Sequence, residues 1–135
     1  PGVVRLNGAE FSTLAGAAPA VDTLAGFARA HKLVLALSGE TDLVADGVDL
    51  ARIGNGHPLM ARVTAMGCAA SALVAACLAV ETDALAAASA ALMIVGVAGE
   101  IAAEKAEGPG SFAVAMIDAL YKLDDATLER RAKVT

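Results

Sequence analysis

The stretch from Asn55 to Val80 combines a turn with an alanine-rich segment, and this combination favours an anion-binding helix N-terminus. No Gly or Pro lies between Cys68 and Gly96, so a helix is expected to begin near Cys68. The first N–H groups of a helix lack partners and carry partial positive charge, which suits phosphate. Gly67 would let the backbone approach a ligand and take a positive φ. Taken alone, such a turn is more often structural than functional.

A second group of polar residues near the N-terminus could serve the same chemistry. Asn7 and Glu10 have the spacing of a helix capping box, in which each residue hydrogen-bonds the backbone of the other. A helix that starts beside a nucleotide needs the same cap, so capping and ligand binding are compatible. Arg5 could offer a guanidinium fork to phosphate oxygens, and the hydroxyls of Ser38 and Thr64 could reach further phosphates.

Apolar patterns predict the elements that position these residues, and they indicate an α/β fold. Leu33 to Leu37 is a continuous apolar run, typical of a strand buried on both faces of a parallel sheet. Another strand should end near Leu6, and Asp46-Gly47 separates two short runs as in a hairpin. The predicted sheet is small and mostly parallel. Helices are expected after Asn7 and Pro19, and three C-terminal helices near Cys68, Asp83 and Pro109 precede a short tail helix.

Length and composition set the class of protein. The 135 residues are 57% hydrophobic and 3% aromatic, which predicts one domain over residues 1–135, or a C-terminal fragment of one, with a core of Ala, Val and Leu. The net charge of −5 and the lack of a basic block argue against a nucleic-acid partner. The uncharged segments 63–80 and 84–99 are bounded by charges and rich in Ala, so we expect buried helices and no membrane span.

The two cysteines are not expected to form a disulfide with each other. If both lie on one helix, a rise of 1.5 Å per residue separates Cys68 from Cys77 by roughly 13 Å, which is beyond disulfide reach. Cys77 is then a small core side chain. Free thiols fit a reducing environment, so the predicted location is the cytoplasm.

Four segments occur in an order that resembles the C-terminal half of the hydroxyethylthiazole kinases, which belong to the ribokinase-like superfamily. They are RLNGAE (5–10), SGETD (38–42), NGHPLMARVTAMGC (55–68) and EKAEGPGSF (104–112). The most specific part is NGHPLM followed by VT-x-x-GC. The resemblance extends from about Arg5 to Leu123 and implies a three-layer α/β/α sandwich, of which this chain would form the C-terminal part.

The resemblance also implies an activity, a set of ligands and an assembly. It implies ATP-dependent phosphorylation, with Mg²⁺, of the primary alcohol of 4-methyl-5-(2-hydroxyethyl)thiazole in thiamine biosynthesis. It further implies a homotrimer with active sites between subunits.

Individual residues take roles from the same resemblance. Cys68 stands where most ribokinase-like enzymes have an aspartate base, and Gly67 is placed with it in the catalytic turn. Ser38 stands where the family has a nucleotide-binding threonine, and Glu10 belongs to an N-x-x-E motif near Mg²⁺. The remaining expected ligand-binding residues are Arg5, Asn7 and Thr64 for the nucleotide and Ala65 for the thiazole alcohol.

Three departures from the family pattern leave other functions open. Ala65 and Leu6 stand where the family usually has glycine, and the region between Glu10 and Pro19 looks short, as if a loop near Gly16 were absent. The first alternative is a non-catalytic nucleotide-binding or interaction fragment, because the family's N-terminal half supplies most of the alcohol pocket. The second is a sister kinase acting on hydroxymethylpyrimidine or pyridoxal, although Cys68 in place of aspartate argues against it.

Overall fold

The computed structural model describes residues 2–135, which form four strands, six α-helices and one 3₁₀ helix. In chain order these are β1 (Val3–Asn7), α1 (Gly8–Ala15), α2 (Val21–His31), β2 (Val34–Ser38), β3 (Asp42–Ala45), β4 (Leu50–Ile53), the 3₁₀ helix (Pro58–Arg62), α3 (Met66–Leu78), α4 (Ala84–Lys105), α5 (Pro109–Lys122) and α6 (Asp125–Arg131). This order agrees with the predicted sequence of elements.

The four strands form one sheet in the order β1-β2-β3-β4, and its strand directions are mixed. Strands β1 and β2 are parallel, with Val3 opposite Val34, whereas β2-β3 and β3-β4 are antiparallel. The prediction of a mostly parallel sheet was therefore wrong. Only three residues join β2 to β3 and only four join β3 to β4, which is too short for the crossover that a parallel pair requires.

Helices cover both faces of the sheet, as expected for an α/β/α sandwich. Because side chains alternate along a strand, neighbouring residues of β2 face different layers. Leu35 packs with Phe11 of α1 and Leu24 of α2 in one apolar cluster. Val34 and Ala36 belong to the larger cluster on the opposite face, which includes residues of α3, α4 and α5.

Helix α4 is the central helix of the larger layer. It contacts α3, α5, α6 and three strands, and most of its residues are buried. Among residues 2–135 it is the one helix long and apolar enough to cross a membrane, but over half of its most apolar stretch is buried inside the fold. Gly96 and Gly99 allow the segment that contains Asn55 and Met60 to lie close to α4. A Cβ added to Gly96 would lie 2.7 Å from atoms of Asn55, and one added to Gly99 would lie 2.5 Å from the sulfur of Met60.

The C-terminal residues complete the sheet next to β4. The backbone N–H of Arg52 donates to the Thr135 carbonyl at 2.8 Å, and the N–H of Thr135 donates to the Arg52 carbonyl at 2.9 Å. A further bond joins Gly54 to the carbonyl of Lys133 at 2.8 Å. The tail after α6 therefore covers the exposed edge of β4, which would otherwise present unpaired backbone groups.

Candidate phosphate-binding site

The first turn of α3 has the geometry of an anion site, although its details differ from those expected. The helix begins at Met66, two residues before the predicted start. Its N-cap is Ala65, which adopts a left-handed conformation with φ 69° and ψ 11°. No side chain caps the helix, so the N–H groups of its first turn stay available to a ligand. The dipole of the 13-residue helix adds partial positive charge there.

Gly67 serves this turn for a different reason from the one predicted. Its backbone is helical, and the positive φ expected there occurs at Ala65 instead. A Cβ on Gly67 would lie 2.7 Å from Nη2 of Arg5 and 3.2 Å from the central carbon of its guanidinium. Glycine therefore lets the Arg5 guanidinium lie directly against the helix, and a larger side chain at this position would have to displace it.

Arg5 connects the sheet to this helix. Its Nη1 donates to Ser38 Oγ at 2.7 Å, and its Nε donates to Ser71 Oγ at 3.0 Å. Ser71 Oγ in turn donates to the Gly67 carbonyl at 3.0 Å. We refer to Arg5, Ser38, Ser71 and the first turn of α3 as the anion cluster.

The parallel register of the first two strands explains why these groups meet. Arg5 lies opposite Ala36 and Asn7 lies opposite Ser38, so the carboxyl ends of β1 and β2 coincide. Ligands of open α/β sheets commonly bind outside such strand ends. Arg5 is half-buried and faces the α3 side because Val3, two residues earlier, packs in that layer.

Asn7 and Glu10 form the predicted capping box. The Glu10 N–H donates to Asn7 Oδ1 at 2.9 Å, and the Asn7 N–H donates to Glu10 Oε2 at 2.7 Å. Within residues 2–135, no three His, Cys, Asp or Glu side chains come together as a metal site. The role of Glu10 toward Mg²⁺ stays a prediction. One carboxylate is compatible with it, because Mg²⁺ is often held by one or two carboxylates together with phosphate oxygens.

Thr64 and Ala65 lie on the side of the α3 N-terminus that faces α5. Both are exposed, and they line an apolar pocket of about 240 Å³ between α3, α4 and α5. Their neighbours in the pocket include Met66, Leu73 and Ile117. The structure shows no hydrogen bond from the Thr64 hydroxyl to the anion cluster among the described residues, so its role in nucleotide binding stays a prediction. The position of Ala65 is compatible with the predicted contact to an apolar substrate.

The structure adds two polar residues that the sequence did not single out. Ser71 is the partner of Arg5 described above, and its spacing four residues after Gly67 could have indicated a shared helix face. Asp42 lies just after the turn that follows β2, and its Oδ1 accepts the Gly39 N–H at 2.9 Å. Burial raises the pKa of Asp42 to about 6, against the opposing effects of that hydrogen bond and the Arg5 charge.

Asn55, the first residue of the NGHP segment, has a structural role in this chain. Asn55 is 4% exposed, and its Nδ2 donates to Glu100 Oε1 at 3.2 Å and to the Arg131 carbonyl at 2.9 Å. Its Oδ1 accepts the Lys133 N–H at 2.8 Å, and Lys133 Nζ donates to Glu100 Oε1 at 2.9 Å. We refer to Asn55, Glu100 and Lys133 as the tail cluster, because it ties the C-terminal segment to α4.

The two cysteines differ in environment and are both free, as predicted. Cys68 is exposed in the first turn of α3, next to Gly67 and therefore beside the anion cluster. Cys77 lies near the other end of the same helix and packs against the larger core cluster, where burial raises the pKa of its thiol. Only Cys68 is placed to meet a ligand at the helix N-terminus.

Comparison with known proteins identifies the family. A model of the hydroxyethylthiazole kinase family matches residues 6–126, which is most of the chain. The chain belongs to the hydroxyethylthiazole kinase family. It is 44% identical over 146 residues to the hydroxyethylthiazole kinase of Granulibacter bethesdensis, and the match covers 98% of this chain and 53% of that protein. It is also 44% identical over 147 residues to the enzyme of the same name from Nitratidesulfovibrio vulgaris, covering 99% of this chain and 55% of that protein.

A solved structure supports the same family membership and fold. The hydroxyethylthiazole kinase protein from Pyrococcus horikoshii superimposes with a TM-score of 0.91 at 34% identity, over 99% of this chain and 54% of that one. The chain thus spans about half the length of the family members it matches. The three-layer α/β/α arrangement expected from the resemblance is confirmed for the part of the fold that this chain forms.

The lengths of the alignments show an internal difference from these family members. The match to the G. bethesdensis protein extends over 146 positions, against 135 residues in this chain, which leaves at least 11 positions that the chain lacks. In the structure α1 ends at Ala15 and α2 begins at Val21, so a connection of five residues joins them. The shortened loop was predicted at this connection. That the missing positions belong to it stays a prediction.

Proposed function

We propose that the natural protein containing this chain transfers the γ-phosphoryl group of ATP to the primary alcohol of 4-methyl-5-(2-hydroxyethyl)thiazole. Membership of the hydroxyethylthiazole kinase family supports the reaction class and substrate. The observation that carries the proposal within the structure is the anion cluster, where Nη2 of Arg5 lies against the uncapped first turn of α3.

The anion cluster suits phosphoryl transfer because that reaction depends on placing positive charge around the transferred group. The N–H groups of Gly67 and Cys68 would stabilise the charge on the phosphoryl oxygens, as oxyanion donors do. Arg5 adds a guanidinium that Ser38 holds from the sheet side. Mg²⁺ would neutralise phosphate charge when bound, and Glu10 is the carboxylate of this chain that we propose contributes to its site.

Cys68 is the proposed acceptor of the alcohol proton. Its exposed thiol is next to the N–H donors, so an alcohol that reaches the phosphoryl group also reaches this sulfur. A thiol accepts a proton less readily than an assisted carboxylate would. The loose transition state of phosphoryl transfer tolerates this, because the alcohol releases its proton late.

The activity should be tested on the full-length natural protein. We expect ADP formation with the thiazole alcohol, ATP and Mg²⁺, and much slower formation with hydroxymethylpyrimidine or pyridoxal. ADP formation with one of those alcohols in its place would assign the protein to a sister kinase. Residues 1–135 alone should bind ATP without turning over the alcohol, since the chain has about half the family's length.

We further propose that the natural protein is a cytoplasmic homotrimer with active sites between subunits. Exposed apolar side chains on α5 support an assembly: Val114 is 65%, Ile117 is 71% and Tyr121 is 89% exposed, at spacings that place them on one side of the helix. Sedimentation of the full-length protein at micromolar concentration should give the mass of three chains, and a stable monomer would contradict the proposal.

A further inference from the structure

The guanidinium of Arg5 is fixed at two nitrogens, and Ser71 fixes the one nearest the side-chain stem. A serine hydroxyl has one proton to donate, and that of Ser71 is directed to the Gly67 carbonyl at 3.0 Å. Its lone pairs therefore face Arg5 and accept Nε at 3.0 Å. Ser38 accepts Nη1 from the other side at 2.7 Å. Two fixed nitrogens define the plane of the guanidinium.

This arrangement places two sources of positive charge side by side. Nη2 has no hydrogen-bond partner among the described residues, and it lies against Gly67, where an added Cβ would approach it to 2.7 Å. The N-terminus of a helix carries partial positive charge, so a cation beside it is unfavourable until an anion binds between them. Without a restraint, the flexible side chain of Arg5 would be expected to swing away from α3.

We infer that Ser71 is a positioning residue for nucleotide binding, acting by holding the Arg5 guanidinium in the plane that presents Nη2 to the phosphates. The inference rests on the proposed function for the identity of the ligand. Ser71 itself would not touch the nucleotide, because its hydroxyl is already engaged by Arg5 and by the Gly67 carbonyl.

The test measures binding of the β,γ-imido analogue of ATP with Mg²⁺ by calorimetry, using the full-length protein. Ser71→Ala should weaken binding about tenfold, the lower end expected for a lost hydrogen bond to a charged group. Ser71→Thr should restore binding to within threefold, because Ser71 is exposed and threonine keeps the hydroxyl. The matched control is Ser89→Ala in α4, whose buried Oγ has no partner in the described chain, and it should change binding by less than twofold.

A double-mutant cycle with Arg5→Ala separates positioning from a structural effect on the helix. If Ser71 acts through Arg5, adding Ser71→Ala to Arg5→Ala should weaken binding by less than twofold more. An equal tenfold loss in both backgrounds would overturn the inference, as would normal binding by the Ser71→Ala single variant. Failure of the proposed function is distinguishable, since the wild-type protein would then bind the analogue but form no ADP with the thiazole alcohol.

Discussion

Two polar clusters lie on the α3–α5 side of the sheet, and they differ in how far their hydrogen bonds are satisfied. In the tail cluster, Asn55 makes three hydrogen bonds and Glu100 accepts from Asn55, Gly56 and Lys133. Burial raises the pKa of Glu100, but these donors outweigh it, and the net shift is downward. In the anion cluster, Nη2 of Arg5 and the first N–H groups of α3 have no protein partner in residues 2–135.

This difference in hydrogen bonding distinguishes a cluster that stabilises the fold from one that could bind a ligand. Buried polar groups in a folded protein are normally paired, so a satisfied cluster is explained by stability alone. A cluster that keeps positive donors free of protein partners at an exposed helix end leaves them to water or to an anion, which is the arrangement that an anion site requires. The segment whose letters are most specific to the family, NGHPLM, begins in the tail cluster, whereas the chemistry is expected several residues later at Gly67 and Cys68.

The largest expected effect comes from damage to the anion cluster. Gly67→Val should lower kcat about a thousandfold, or about 4 kcal/mol, because the side chain displaces Arg5 and crowds the helix donors. The reason is steric contact with Arg5 and does not involve a positive φ. The measurement is ADP formation by the full-length protein, with a thermal melt to confirm folding.

Cys68→Ser is the matched control for this variant, since it changes the adjacent residue and keeps all backbone donors. It should retain activity to within tenfold, because the thiol contributes only a weak base. An inactive Cys68→Ser protein together with a nearly normal Gly67→Val protein would make Cys68 an essential base or nucleophile and would contradict the role assigned to the helix.

The tail cluster should respond in stability and not in ligand binding. Asn55→Ala should lower the free energy of unfolding by about 3 kcal/mol, because it leaves the Lys133 N–H and the Arg131 carbonyl unpaired. Arg131→Ala, which removes an exposed ion pair with Glu104, should cost less than about 1 kcal/mol. Urea denaturation measures both values. Tenfold weaker binding of the ATP analogue by a fully stable Asn55→Ala protein would place this cluster in the ligand site.

The sequence predicted the order of the elements and the capping box because those features are local. Apolar runs, the hairpin signal at Asp46-Gly47 and the capping box of Asn7 and Glu10 each depend on residues close in the chain. Arg5 and Ser38 are each predicted from the sequence as phosphate ligands, and the structure joins them by a hydrogen bond that the sequence did not indicate. Their assignment to the nucleotide itself stays a prediction.

Features that depend on tertiary contacts could not be read from the sequence. The spacing of Ser71 from Gly67 indicates a shared helix face, but its contact with Arg5 joins residues 66 positions apart and depends on how α3 packs against β1. The sequence indicates that Gly67 could take a positive φ, because glycine adopts it readily, yet the structure has the positive φ at Ala65. The raised pKa of Asp42 likewise reflects burial that its position directly after a short, polar turn does not indicate.

Asp42, whose carboxyl feels the charge of Arg5, gives a pH-dependent test of stability near the anion cluster. Its folded pKa of about 6 exceeds the ordinary value of 3.8, so the folded state binds the proton more tightly than the unfolded state and loses stability as pH rises between these values. Asp42→Asn removes this titration. Its free energy of unfolding relative to wild type should therefore rise by about 2 to 3 kcal/mol from pH 4 to pH 7. A difference that stays constant with pH would show that Asp42 titrates normally.

The smallest expected effect concerns the strained N-cap of α3. Ala65 has a φ of 69°, which costs a residue with a Cβ roughly 1 to 2 kcal/mol, while glycine adopts it freely. Ala65→Gly should stabilise the protein by about 0.5 to 1 kcal/mol, because the greater freedom of glycine in the unfolded chain offsets part of the gain.

A change from Ala to Gly inside the same helix should have the opposite effect on stability. Ala72 is exposed in the middle of α3, and Ala72→Gly should destabilise the protein by about 1 kcal/mol. Urea denaturation of the two variants should therefore move the midpoint in opposite directions. If both lowered it equally, the left-handed backbone at Ala65 would carry no strain.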